Sequence, residues 1–93
     1  MNNLMKNKRG LVMGVANEKS IGWGIAKTIS DQGGELAFTY QGDALKKRVV
    51  PLANSLNSEI VIPCDVSNDE DIDNTFNKLK KVWPKIDFVV HAI

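Results

Sequence analysis

The sequence predicts a layered α/β fold built on a parallel sheet, and two observations support this prediction. Short apolar runs typical of buried strands alternate with amphipathic segments typical of helices, in the order β-α-β-α-β-α-β. The connections are short, so each helix is expected to cross over between strands that run in the same direction. The 93 residues form at most one small domain, without a repeat, a low-complexity segment or a linker.

The first strand and helix flank a glycine-rich stretch. Residues 11–15 are an apolar run without a polar face, typical of a buried parallel strand. A helix is predicted from about Ser20 to Gly33-Gly34, because glycine accepts the left-handed conformation that ends helices. Its expected apolar stripe consists of Ile21, Ile25 and Ile29.

The second strand is predicted over Glu35–Tyr40 and the third over Glu59–Cys64. Between them, residues 43–56 have the pattern of a helix that Pro51 interrupts. Since proline lacks an amide hydrogen and clashes with the preceding turn, we expect a kink or two short helices there.

The third helix has signals at both ends. Ser67 and Glu70 have the spacing of a capping box, the following acids and later lysines match the helix dipole, and Pro84 ends the helix. Its apolar stripe consists of Ile72, Phe76, Leu79 and Trp83.

Residues 86–93 are predicted to form a fourth strand that is central and buried, with His91 as a core residue.

Composition excludes several classes of function. The net charge is +1 with 25% charged residues, which gives no electrostatic reason to expect nucleic acid or an anionic membrane as partner. Apolar runs are too short to span a membrane, and the first residues lack the apolar region of a signal peptide. A single cysteine, Cys64, suits a reducing compartment, so we expect a cytoplasmic protein.

The stretch GVANEKSIGWG, residues 14–24, contains a Lys-Ser pair but does not match a P-loop. Counting back from Lys19-Ser20, the two glycines of that motif would fall at Met13 and Glu18. A carboxylate at position 18 would lie where triphosphate oxygens belong. We therefore reject a triphosphate site.

A dinucleotide site explains the stretch better. Gly14 allows a sharp turn after the strand, and Ser20 offers a hydroxyl and an amide at the helix entrance, where phosphates bind. Gly22 and Gly24 are expected where the helix closely approaches the sheet and the pyrophosphate. The spacing differs from the common Gly-x-Gly-x-x-Gly, so on spacing alone an ordinary capped loop stays nearly as good an explanation.

The ends of the next two strands carry the remaining candidates. Gln41 follows the second strand, where dinucleotide folds bind the adenosine ribose; being neutral, it favours NADH over NADPH. Asp65 and Val66 follow the third strand and lie within reach of adenine if the strand order is 3-2-1-4. The alternative for Asp65 is capping of the next helix.

Together these residues resemble the enoyl-acyl-carrier-protein reductases of bacterial type II fatty-acid synthesis, a divergent branch of the short-chain dehydrogenase/reductases. The similar stretches are GVANEKSIGWGIA, ELAFTYQGDALKKRV, IVIPCDVSNDEDID and KVWPKIDFVVHAI. The resemblance implies a Rossmann-type doubly wound sheet, of which residues 1–93 form the amino-terminal part of a single dinucleotide-binding domain. It also implies NADH-dependent reduction of a trans-2-enoyl thioester on acyl carrier protein, by an enzyme that is typically a tetramer.

The resemblance also assigns residues. The implied cofactor contacts are Gly14, Ser20, Ile21, Gln41, Asp65, Val66 and Ile93. No catalytic residue is expected in this chain, because the tyrosine and lysine of such enzymes lie further along; residues 1–93 alone should be inactive. No metal site is expected, since Asp69, Asp71 and Asp73 match the helix dipole better than a calcium loop. The alternatives are a short-chain reductase acting on a ketone or alcohol, and a non-enzymatic nucleotide-binding or receiver-like module with Asp65 as phospho-acceptor.

Overall fold

A computed structural model describes residues 4–92 and confirms the predicted order of elements. The strands are β1 (Arg9–Met13), β2 (Glu35–Tyr40), β3 (Val61–Pro63) and β4 (Phe88–His91). The helices are α1 (Ile21–Asp31), α2 (Asp43–Ser55) and α3 (Asp69–Val82).

The four strands form one parallel sheet in the order β3-β2-β1-β4, as predicted. In the register, Leu11 of β1 lies beside Ala37 of β2 and beside Val89 of β4. Parallel pairing places the carboxyl ends of the strands at one edge of the sheet, which is the edge where such folds bind ligands.

Alternate residues of the strands build a core on each face of the sheet. Leu11, Met13 and Ala37 pack on the face that carries α3, with Leu79 and Trp83. The other face carries α1 and α2 and has its own core, formed by Val12, Val15, Ala26, Leu36, Phe38, Val49 and Ala53. Since both faces of β1 and β2 are covered, these strands have no polar side, which explains their continuous apolar runs.

The predicted apolar stripe of α1 is wrong. Ile21 is 77% exposed and Ile25 39% exposed, whereas the buried residues are Gly22 and Ala26, with half-buried Ile29 one turn further. Small side chains let the helix approach the sheet closely, so α1 presents its small residues to the core and its larger isoleucines outward. The end of α1 is as predicted, because the amide of Gly34 donates to the carbonyl of Ile29 and Gly33 has φ +91°.

Helix α2 continues as one element through Pro51. Of the two outcomes predicted there, a kink or two short helices, the second is therefore wrong. Because Pro51 has no amide hydrogen, the carbonyl of Lys47 lacks its helical hydrogen bond. Both residues lie on the exposed side of α2. Water can therefore satisfy that carbonyl. Buried Val49 and Ala53 hold the helix against the sheet on either side of the proline.

Helix α3 begins one residue later than the predicted capping box. Its N-cap is Asn68, whose side-chain oxygen accepts from the amides of Glu70 (2.9 Å) and Asp71 (3.2 Å). Ser67 instead donates its hydroxyl to Asp65. The stripe is confirmed, since Leu79 and Trp83 are buried with Ile72 and Phe76 packed against them, and the helix ends before Pro84 as predicted.

Strands β1, β3 and β4 differ from their predicted ranges by about two residues at one or both ends. Gly14, at φ +108°, turns the chain out of β1 directly after Met13. In the described part of the chain β4 pairs only with β1, so it is an edge strand in which Val89 is 45% exposed. His91 is exposed, and its prediction as a core residue is wrong.

Of the helices described, none has both the length and the hydropathy needed to cross a membrane.

Candidate functional site

The carboxyl ends of β1, β2 and β3 surround a cleft of about 210 Å³. Three of the predicted cofactor contacts line it: Gly14 after β1, Gln41 after β2 and Val66 after β3. Its other lining residues are Val15, Ala16, Thr39, Tyr40, Leu45 and Cys64. The strand order 3-2-1-4 therefore brings together positions that are more than 50 residues apart in the sequence.

The first three residues of the loop from Gly14 to Ser20 line one wall of this cleft, and the Ser20 side chain bonds back to the loop. The Ser20 Oγ accepts from the amides of Ala16 (3.0 Å) and Asn17 (3.1 Å). The Ser20 amide donates to the carbonyl of Asn17 at 3.1 Å. The Ser20 amide is therefore bonded within the loop and is not available at the helix entrance. The Ser20 oxygen accepts from two loop amides, which leaves the hydroxyl hydrogen free to donate to another group.

Helix α1 begins with two amides that have no acceptor within residues 4–92. Ser20 occupies the N-cap position but makes no side-chain cap, and the amides of Trp23 and Gly24 donate to its carbonyl. Within residues 4–92, no hydrogen bond has the amide of Ile21 or Gly22 as donor. Unpaired amides at the positive end of a helix are suited to an anionic group such as a phosphate.

The two glycines of α1 have different surroundings. A Cβ at Gly22 would lie 3.3 Å from the carbonyl oxygen of Gly14, so the absence of a side chain lets α1 meet the turn, as predicted. A Cβ at Gly24 would have no atom within 4 Å. Gly24 therefore does not face the sheet, and its predicted role in close approach to the sheet is wrong. With Ile21, it lines a separate open groove on the outer side of α1.

Asp65 is held in a turn at the end of β3. Its Oδ1 accepts from the amide (3.0 Å) and the hydroxyl (2.6 Å) of Ser67, and its own amide donates to Asp71. These two bonds from Ser67 hold the pKa of the Asp65 carboxyl below its usual range. Since Asn68 caps α3, the alternative role of Asp65 as the helix cap is wrong. Asp65 lies between Cys64 and Val66, which both line the cleft.

Two further positions singled out in the sequence, and several that were not, complete the description of the cleft. Tyr40 is half-buried against the core and also lines the cleft, and Ile93 lies outside the described residues. Thr39, Leu45 and Cys64 line the cleft without being predicted to do so. Leu45 has a signal in the sequence, as an apolar residue in the first turn of the helix that follows Gln41. Within residues 4–92, no three His, Cys, Asp or Glu side chains are grouped so that they could hold a metal ion.

Comparison with known proteins agrees with this geometry. Enoyl-acyl-carrier-protein reductase (NADH) 2 of Rhizobium meliloti is 59% identical over 93 residues, which is 100% of this chain and 35% of that protein. The crystal structure of FabI from Candidatus Liberibacter asiaticus matches with a TM-score of 0.95 at 49% identity, over 98% of this chain and 35% of that one. The reductase of Anaplasma phagocytophilum, solved in complex with NAD, matches with a TM-score of 0.93 at 50% identity, over the same shares.

The chain thus spans about a third of the length of the proteins it matches. The family model described as enoyl-(acyl carrier protein) reductase covers residues 14–93, from the turn after β1 through all three helices to β4. With most of its length matched in this way, the chain belongs to the enoyl-(acyl carrier protein) reductase family.

Proposed function

We propose that residues 1–93 form the amino-terminal, cofactor-binding part of a single dinucleotide-binding domain in an NADH-dependent enoyl-acyl-carrier-protein reductase. The observation that carries this proposal is the cleft lined by Gly14, Gln41 and Val66. It lies beside the entrance of α1, where two amides are unpaired among the described residues. A glycine turn, a polar side chain at the ribose position and free amides for a pyrophosphate are the parts that a dinucleotide site requires.

The described residues suit NADH in three places. The amides of Ile21 and Gly22 and the hydroxyl of Ser20 are positioned for the pyrophosphate at the entrance of α1. Gln41 lies at the end of β2 for the adenosine ribose, while Asp65 and Val66 lie at the end of β3 for the adenine. Because its pKa is lowered, the Asp65 carboxyl is ionised at neutral pH and can accept a hydrogen bond from the adenine amino group.

NADH, when bound, supplies the hydride that reduction of a trans-2-enoyl thioester requires. The part of this chain is to bind and orient the cofactor, and Ile93 is proposed as a further contact with it. No residue of the chain is proposed as catalytic, since Tyr40 packs against the core at the ribose end of the cleft. The proposed substrate is an enoyl chain on acyl carrier protein, and the proposed enzyme is a cytoplasmic homotetramer.

The proposal is tested by titrating the complete enzyme, of which residues 1–93 are proposed to be the amino-terminal part, with NADH and with NADPH while following the fluorescence of the reduced nicotinamide. We expect saturable binding of NADH and weaker binding of NADPH. We also expect this enzyme to consume NADH on addition of a trans-2-enoyl thioester, not to consume it with a ketone, and not to form NADH from NAD and an alcohol. A folded protein that binds neither cofactor would contradict the proposed site, and one that reduces ketones instead would contradict the proposed substrate.

A further inference from the structure

Three polar side chains are buried in the described part of the chain, and Thr39 differs from the other two. The Ser58 hydroxyl donates to the carbonyl of Leu36 at 2.6 Å, and the Thr75 hydroxyl donates to the carbonyl of Asp71 at 2.9 Å. The Thr39 hydroxyl has no hydrogen-bond partner within residues 4–92, although Thr39 is only 3% exposed. It therefore lacks the partner that a buried hydroxyl normally has.

The hydroxyl of Thr39 is accessible from the cofactor cleft. Among the described residues that are not exposed, only Gln32 has a side-chain oxygen or nitrogen that is both inaccessible to solvent and unpaired. The Thr39 oxygen is unpaired, so the small exposed part of this residue includes its hydroxyl. Thr39 lines the cleft, and a group bound there can therefore reach this oxygen.

Thr39 lies on the side of the cleft where adenine is proposed to bind. Side chains alternate along β2, and Phe38 belongs to the core under α1 and α2, so Thr39 points to the face that carries α3. Cys64 packs on that same face and also lines the cleft. Since β2 and β3 pair at this level, the Thr39 hydroxyl lies next to the end of β3, where Asp65 follows Cys64.

The rest of the cleft suits a flat ring whose edge carries polar atoms. Val15, Leu45 and Val66 give it apolar walls. A base buried there needs donors for its ring nitrogens, because an unpaired buried acceptor is unfavourable. The ionised carboxylate of Asp65 can only accept hydrogen bonds, whereas a threonine hydroxyl can also donate one. Thr39 therefore supplies a donor that Asp65 cannot.

We propose that Thr39 is a specificity-determining residue for the adenine base, and that its hydroxyl donates a hydrogen bond to a ring nitrogen of that base. This inference rests on the proposed function, in which the Asp65 carboxylate accepts from the adenine amino group. A base without that nitrogen would leave the Thr39 hydroxyl unpaired, and a site built to hydrogen-bond its ligand rejects an analogue for this reason.

The test uses the complete enzyme and compares the wild type with Thr39→Val, which keeps the shape of the side chain and removes the hydroxyl. Adenosine 5′-monophosphate and its 1-deaza, 3-deaza and 7-deaza analogues, in each of which a CH group replaces one ring nitrogen, compete with NADH. We expect Thr39→Val to weaken binding of NADH and of adenosine monophosphate about tenfold. It should not weaken binding of the one analogue that lacks the bonded nitrogen, which the wild type already binds about tenfold more weakly.

Thr75→Val is the matched control, since it removes a buried hydroxyl from α3, and Thr75 does not line the cleft. It should leave the affinity for adenosine monophosphate unchanged. Because it loses a hydrogen bond, it should also unfold at a lower temperature, whereas Thr39→Val breaks no bond of the described chain and should be at least as stable as the wild type. Thr39→Ser keeps a hydroxyl and should keep the discrimination against that analogue.

Two results would overturn the role of Thr39 and leave the proposed function standing. One is unchanged affinity for adenosine monophosphate in Thr39→Val, and the other is an equal loss for the monophosphate and all three analogues. A wild-type enzyme that binds neither NADH nor adenosine monophosphate would instead remove the proposed function itself.

Discussion

At the scale of single residues, the side chain of Ser20 connects the loop after β1 to the entrance of α1. Its oxygen accepts from the amides of both Ala16 and Asn17, and Ala16 lines the cleft. We predict that Ser20→Leu weakens NADH binding by roughly one to two decades, the equivalent of about 1.5–3 kcal/mol for one hydrogen bond to a charged group. Titration by fluorescence measures this loss.

Ser55→Ala is the control for Ser20→Leu, because the Ser55 hydroxyl also bonds backbone but lies at the end of α2, away from the cleft. It should leave NADH affinity unchanged. Circular dichroism should show that Ser20→Leu remains folded. Wild-type affinity for NADH in the folded variant would mean that Ser20 only shapes the loop and does not serve the pyrophosphate.

Asp87 acts at the opposite edge of the sheet, where it joins β4 to β1. Its Oδ2 accepts from the amide of Arg9 at 2.8 Å, and Lys85 Nζ lies 3.4 Å from Oδ1. The bond from Arg9 is the main reason that the pKa of Asp87 lies below its ordinary value. A carboxyl with a lowered pKa stabilises the fold at pH values above that of the unfolded chain, about 3.9, and this stabilisation is lost as the pH falls through the lower folded value.

We therefore predict that Asp87→Asn lowers the free energy of unfolding by a constant amount between about pH 5 and pH 8, and that its difference from the wild type shrinks below about pH 4. Urea unfolding at a series of pH values measures this. Asp73→Asn, an exposed substitution on α3, should show no comparable dependence on pH. A difference for Asp87→Asn that persists undiminished at about pH 3 would show that packing, not charge, is what the substitution removes.

At the scale of elements, α1 offers two glycines for a paired substitution. Gly24→Ala adds a methyl group in open space and should stabilise the protein by about 0.5–1 kcal/mol, because alanine favours the helix. Gly22→Ala places the same methyl group 3.3 Å from the carbonyl of Gly14. Gly22→Ala should stabilise the protein less than Gly24→Ala does, or destabilise it. It should also weaken NADH binding, because the added methyl group displaces the turn at Gly14. Thermal unfolding and cofactor titration measure both; equal stabilisation by the two substitutions would contradict close contact at Gly22.

The helices also show what the sequence could predict. In α3 the large apolar residues form a single stripe, which the structure buries; its side was therefore predictable. In α1 the isoleucines form one stripe and the small residues Gly22 and Ala26 another, and the helix buries the small ones. The large isoleucines predicted the wrong buried face for α1, because hydrophobic periodicity does not show how closely a helix must approach a sheet.

The candidate site follows the same pattern. Gly14, Gln41 and Val66 were predictable because the ends of parallel strands meet at one edge of the sheet. The bonding of Ser20 to the loop and of Ser67 to Asp65 was not, since each depends on turn geometry that the residue types leave open. Likewise, Asn68 and Ser67 are both good N-cap residues, and only the path of the chain after β3 selects Asn68.

At the scale of the whole molecule, the described residues pair two strands on one side only, β3 and β4. β3 is only three residues long and ends in Pro63, so β4 is the edge that matters for association. β4 pairs with β1 on one side only, and Val89 is 45% exposed on it. Ile21 and Ile25 add an exposed apolar surface on α1. Unpaired backbone groups on an apolar edge strand are a template for pairing with another chain.

We therefore predict that residues 1–93, produced as a separate polypeptide, are poorly soluble or partly ordered, self-associate and do not reduce enoyl thioesters. Sedimentation at several concentrations measures the association. Val89→Lys should suppress it, because a lysine on an edge strand opposes pairing. Val82→Lys is the matched control: Val82 is 60% exposed but lies on α3, away from the open edge, so the association should persist. A monodisperse polypeptide that unfolds cooperatively as a monomer would show that the edge of β4 needs no partner.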